Sequence, residues 1–152
     1  MRRPFKAHHD GVAVRLSDVE REFLLGLPIL LASVDAEPDD PAYVRLHVAA
    51  YPDDPAAQEE MTEYSGSQLA EARTSDRERF TATLEAGQSV LSPDEAESWL
   101  TVLGDARLAL AARLGIEEPG WEVVDEEDPE RITLGFLSYL QDQLVTVLMR
   151  RL

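Results

Sequence analysis

The chain has no cysteine, so disulfides and thiolate metal sites are excluded. No Gly-x-Gly and no Gly-Lys-Ser/Thr occurs, which removes the dinucleotide fingerprint and the phosphate-binding loop. Histidine is scarce, with only His8, His9 and His47, and none stands in Glu-x-x-His or His-Glu-x-x-His spacing. Di-iron carboxylate sites and zinc proteases are therefore disfavoured. Tyr64-Ser65-Gly66-Ser67-Gln68 falls short of the Gly-x-Ser-x-Gly elbow. These gaps argue against covalent or nucleotide catalysis, and the reading leans away from an enzyme. No unbroken apolar run reaches the roughly 18 residues of a membrane span. The opening Met-Arg-Arg-Pro-Phe-Lys carries charge without an apolar stretch behind it, unlike a secretory signal. A cytoplasmic protein without cofactor or bound metal is the expectation.

What is abundant is negative charge. Thirty acidic residues against fourteen basic ones give a formal charge of −16 over 152 residues, and Lys6 is the one lysine. Such a field repels phosphate backbones and anionic lipid, so nucleic acid is an unfavoured partner and a membrane is not expected. The densest basic cluster in the sequence, Arg2, Arg3 and Lys6, is too small for a nucleic-acid footprint. The length suits one domain. Residues 1–152 are read as a single helical domain, with residues 1–10 a mobile leader.

Alternation of Val12, Val14 and Leu16 with Ala13 and Arg15 predicts a short strand. Ser17-Asp18-Val19-Glu20 then spells a capping box, and an apolar stripe follows from Val19 to Val34. Pro28 interrupts that stripe and predicts a break near Gly26. Ser92-Pro93-Asp94-Glu95 starts a second boxed helix, which Gly115 ends as a left-handed residue. A last helix runs from Asp128-Pro129 to about Met149. Gly135, Ser138, Asp142 and Thr146 share one arc of it and the rest is mostly apolar. Such a helix belongs at the centre of the fold or in a homodimer seam. Between Pro55 and Ala86 the pattern is weaker, with a possible box at Ser75-Asp76-Arg77-Glu78 dividing two helices. Trp121, Val123 and Val124 suggest a strand opposite Val12–Leu16. The fold class expected is mainly α, a compact helical bundle of five to six helices with at most a two-stranded ribbon.

The pentapeptide Pro-Asp-Asp-Pro-Ala occurs twice, at Pro38–Ala42 and Pro52–Ala56. Each copy ends in Asp-Pro ahead of helix-compatible sequence, and Asp128-Pro129 repeats the device. A carboxylate at the cap position accepts first-turn amides, and proline fits the position after it. Helix capping is thus favoured over a hard-cation site, which would need further oxygen ligands at suitable spacing. Arg107 breaks its own pattern by projecting into the apolar stripe between Ala96 and Leu114. A guanidinium there needs a partner, and Asp53 or Asp54 is the expected one. The candidate binding or structural loop comprises Tyr51, Pro52, Asp53, Asp54 and Pro55, with Arg107 beside it.

Several stretches resemble the uncharacterised, mostly actinobacterial DUF2017 family. They are Arg2-Arg3-Pro4-Phe5, Asp10–Leu16, Glu20–Leu24, Ala50–Pro55, Glu95–Leu100, Asp105–Leu110 and Phe136–Gln141. Tyr139 stands where the family pattern suggests Trp. The resemblance implies no catalytic residue. It implies a partner near the adaptor of the Clp protease, from family context. The reading that follows is a non-enzymatic interaction or regulatory protein, with an exposed apolar patch on the Tyr51–Pro55 loop or the last helix. One alternative is a small-ligand binder or enzyme using Arg107 and nearby carboxylates. Another is a transcription regulator presenting Arg73, Arg77 and Arg79.

Overall fold

Local signals in the chain set the helix ends first. In the computed structural model, which describes residues 3–46, 71–116 and 128–150, both predicted capping boxes are closed. Ser17 Oγ accepts the Glu20 amide at 3.1 Å while Glu20 Oε1 accepts the Ser17 amide at 2.8 Å, opening α1 (Asp18–Leu25). The chain breaks at Gly26, and α2 (Leu27–Asp35) restarts with Pro28 in its first turn, where the missing N–H is harmless. α3 (Pro41–Leu46) follows. Residues 71–85 are helical (α4). Ser92 and Glu95 close the second box at the same two distances and open α5 (Pro93–Arg113). α6 spans Pro129–Arg150.

Two of these helices end alike. Gly115 takes φ +73° after α5, its amide donates to Ala112 O, and the Ile116 amide donates to Ala111 O. Gly87 takes φ +65° after α4, with Gly87 and Gln88 amides on Leu84 O and Thr83 O. Both are Schellman caps, which satisfy the last carbonyls through a left-handed residue that glycine adopts without strain.

A small antiparallel sheet joins the helices, with order β1 (Phe5–His8), β2 (Gly11–Val14), β3 (Val90–Leu91). Phe5 pairs with Val14 and His8 with Gly11, so His9-Asp10 is the turn; Val12 pairs with Leu91. This corrects two expectations. Three strands form rather than two, and the supposed mobile leader supplies β1. The reason is Phe5, which is 1% exposed and cannot be released without uncovering its ring. Trp121–Val124, expected as a strand, lies outside the described residues.

Trp99 on α5 is the centre of the core, at 0% exposure. Phe5 meets it edge-on at 6.2 Å and Phe80 of α4 lies at 4.9 Å. Its indole Nε1 donates to Thr83 Oγ1 at 2.8 Å, and Thr83 passes its own proton to the carbonyls of Arg79 and Phe80. A buried polar edge is thus satisfied within the core. α5 packs against α2, α3, α6 and the sheet, so the fold is assembled around it.

α4 and α6 depart from expectation. α4 runs unbroken through Ser75, so no box divides it; no Pro or Gly lies between residues 71 and 85 to stop it. α6 buries Leu134, Leu137, Leu140, Leu144 and Val147 but leaves Ile132, Tyr139, Val145 and Met149 outward. It is therefore not enclosed at the centre. By length and composition alone it meets the minimum for crossing a membrane, though it contains no long unbroken apolar run. Here its inward face is spent on α5 and β1.

Candidate functional site

α5 carries polar groups on two sides, and each side has a different job. Toward α4 lies Ser98, 1% exposed, whose hydroxyl donates to Asp76 Oδ1 at 2.8 Å and accepts from Arg79 Nη1 at 3.1 Å. Asp105, two turns further, is half-buried. Burial pushes its carboxyl above the usual aspartate value; Arg73 and Arg77 oppose that, while Asp76 and Asp35 add to it. Arg77 Nη1 reaches Asp35 Oδ2 at 2.6 Å and so ties α4 to α2. Ser98 has an acid beside it and, among the described residues, no imidazole, and at 1% exposure it is closed off from solvent. The seam is a helix-to-helix polar contact.

Toward α6 lies Arg107. Its Nη1 donates to Gln141 Oε1 at 2.8 Å. Gly104, one turn earlier, gives Gln141 room, since a Cβ there would sit 3.3 Å from its Nε2. Arg107 is half-buried and helps join α5 to α6. Asp53 and Asp54, the partners expected for it, lie outside the described residues, as do Tyr51, Pro52, Pro55 and His47.

The first Pro-Asp-Asp-Pro-Ala copy behaves as a cap. Asp40 Oδ1 accepts the Ala42 amide at 2.8 Å at the start of α3, with Pro41 in the first turn. Its other oxygen takes Arg113 of α5 at 2.8 Å. Asp128 repeats the cap, accepting the Glu130 amide at 3.0 Å. The arginines considered for DNA reading are occupied: Arg73 donates to Leu46 O at 2.7 Å, Arg77 to Asp35, and Arg79 to Ser98. Guanidiniums so engaged are not presented as base-reading donors.

Among the described residues one group offers metal-type donors close together. His8, His9 and Asp10, on the exposed β1–β2 turn, have ligand atoms within 4.8 Å of one another. His8 Nδ1 already accepts the Asp10 amide at 3.0 Å, so a metal on that nitrogen would have to displace the bond.

The outward side chains of α6 form the other notable surface. Tyr139 is 38% and Met149 64% exposed, with Ile132 and Val145 also outward and Leu108 exposed on α5. The polar arc read from the sequence marks this side, since Asp142 and Thr146 are exposed on it, although Ser138 is buried.

A family model described as Domain of unknown function (DUF2017) matches residues 2–148. No curated protein matches, and no solved structure does.

Proposed function

We propose that this chain, which belongs to the DUF2017 family and shows no reaction centre among the described residues, is a non-enzymatic interaction or regulatory protein. The observation that carries this is the outward side of α6, where two apolar pairs, Ile132 with Tyr139 and Val145 with Met149, stand exposed while Leu134, Leu137, Leu140, Leu144 and Val147 are buried. Apolar side chains clustered on one element are costly to leave in water and mark contact surfaces. Asp142 and Thr146 project between the two pairs, so the apolar groups are set in a polar, acidic surround. A folded protein partner fits this better than a nucleic acid, given the −16 charge. Family context proposes the substrate-delivery machinery of Clp-dependent proteolysis as that partner.

The test is capture of partners from cells expressing the protein, followed by direct binding to the purified candidate. The comparison bait is Tyr139→Glu with Ile132→Glu, both solvent-exposed and checked for folding by circular dichroism. The reading expects a partner that the native bait retains and the variant loses. Identical captured sets with both baits would overturn it, and so would apolar-face burial by self-association alone, seen as a dimer in sedimentation that the variant abolishes.

A further inference from the structure

From Arg45 through Arg131, every described arginine is engaged by a protein oxygen. Arg21 is the one described cation outside both groups, and its Nη1 is buried without a hydrogen-bond partner. Arg3, Lys6, Arg15 and Arg150 likewise have no side-chain hydrogen bond or ion pair among the described residues. These four cations converge on one groove of about 470 Å³ between the β1–β2 hairpin and the last turns of α6. No acidic residue is among the described lining.

That convergence is costly without a ligand. Four like charges held around one concavity repel one another, and no acid of the described lining relieves them. Arg150 gains something from the negative end of α6, an effect confined to the final turn. It does not account for the three cations supplied by the hairpin. The floor is apolar, formed by Phe5 and Val147, and Gln143 adds an amide. Thr146 already donates its hydroxyl proton to Asp142 O at 2.8 Å, leaving it an acceptor only.

We infer that this groove is a binding site for a small multivalent anion whose phosphate or carboxylate oxygens are shared among Arg3, Lys6, Arg15 and Arg150. Its volume lies in the range of small-molecule sites, roughly 300–1,000 Å³. Size also follows from charge. A long polyanion would extend past the groove onto a surface of net charge −16, whereas a compact one keeps its charge within about 8 Å, the screening length at physiological salt. Guanidiniums grip such oxygens in pairs, and Lys6 adds a point charge. The site is separate from the apolar residues of α6 that carry the interaction reading, so either stands without the other.

Titration calorimetry with inorganic pyrophosphate, and separately with citrate, tests the inference and distinguishes the two sources of oxygen. The native protein is expected to bind at least one of them saturably, one per chain. Lys6→Gln with Arg15→Gln should weaken binding by about tenfold or more. Arg131→Gln, an arginine outside the groove, should leave it unchanged. Should the double variant fold poorly, Arg150→Gln at the helix end makes the same comparison. Binding of pyrophosphate alone assigns a phosphorylated ligand, and binding of citrate alone a polycarboxylate. The inference fails if neither binds saturably, or if Arg131→Gln weakens binding as much as the groove variants do.

Discussion

Asp40 and Arg113 meet through a fork, Arg113 Nε and Nη2 donating to the same carboxylate oxygen at 3.0 and 2.8 Å. The other Asp40 oxygen caps α3, and Arg113 Nη2 also reaches Ser33 Oγ at 3.3 Å. One ion pair thus fixes α2, α3 and α5 together. The Arg113 hydrogen bond, and after it the Ala42 amide, hold the Asp40 carboxyl below the usual aspartate value. A lowered carboxyl contributes stability that is complete above its unfolded value and is lost as pH falls through the folded one. Melting temperatures should rank native above Asp40→Asn above Asp40→Ala at neutral pH. The native advantage over Asp40→Asn should fade only below about pH 4. Equal melting of all three at pH 7 would show that the fork contributes nothing.

Asp105 should behave oppositely. Burial raises its carboxyl, so the ionised form is less favourable in the fold than in the open chain. Its contribution is greatest at acid pH and declines as pH rises through the folded value. Asp105→Asn is therefore expected to raise the melting temperature at pH 7, with the gain shrinking toward pH 3. A loss at pH 7 would mean that attraction to Arg73 and Arg77 outweighs desolvation.

Thr83→Val keeps shape but removes the acceptor of the Trp99 indole. Leaving that buried N–H unpaired should cost about 1–3 kcal/mol in denaturant unfolding. Thr83→Ser should retain most of the stability, and equal loss in both would assign the effect to packing rather than to the hydrogen bond.

Gly11 has φ +152°, and a Cβ built on it lies 1.8 Å from Leu91 O, the backbone of β3. No side-chain rotation relieves that clash. Gly11→Ala should cost about 3 kcal/mol and loosen β3 from the sheet. Hydrogen exchange at the Leu91 region would report it, and an unchanged exchange rate would count against the close approach.

The features legible in the sequence were those decided within one turn of chain. Ser17, Ser92, Asp40 and Asp128 cap helices because their partners sit two or three residues away, and Gly115 ends α5 for the same reason. Distant pairings left no local trace. Nothing near Asp40 names Arg113, and nothing near Arg107 names Gln141. The groove is the extreme case, since residues 3, 6 and 15 combine with residue 150 only after the hairpin docks on α6. The box at Ser75 misled because the same letters occur inside a helix when no breaker interrupts it.

β3 is two residues long, and it arrives from the far half of the chain to pair with the central strand of a hairpin that is already complete. The hairpin and the capped helices need only near neighbours, so they form early and reversibly. Sheet completion must wait for loop closure across α1 to α4, whose entropy is spent before any pairing returns it. Folding should therefore be slower than a helical composition suggests, and the last event to be protected should be the Val12–Leu91 seam.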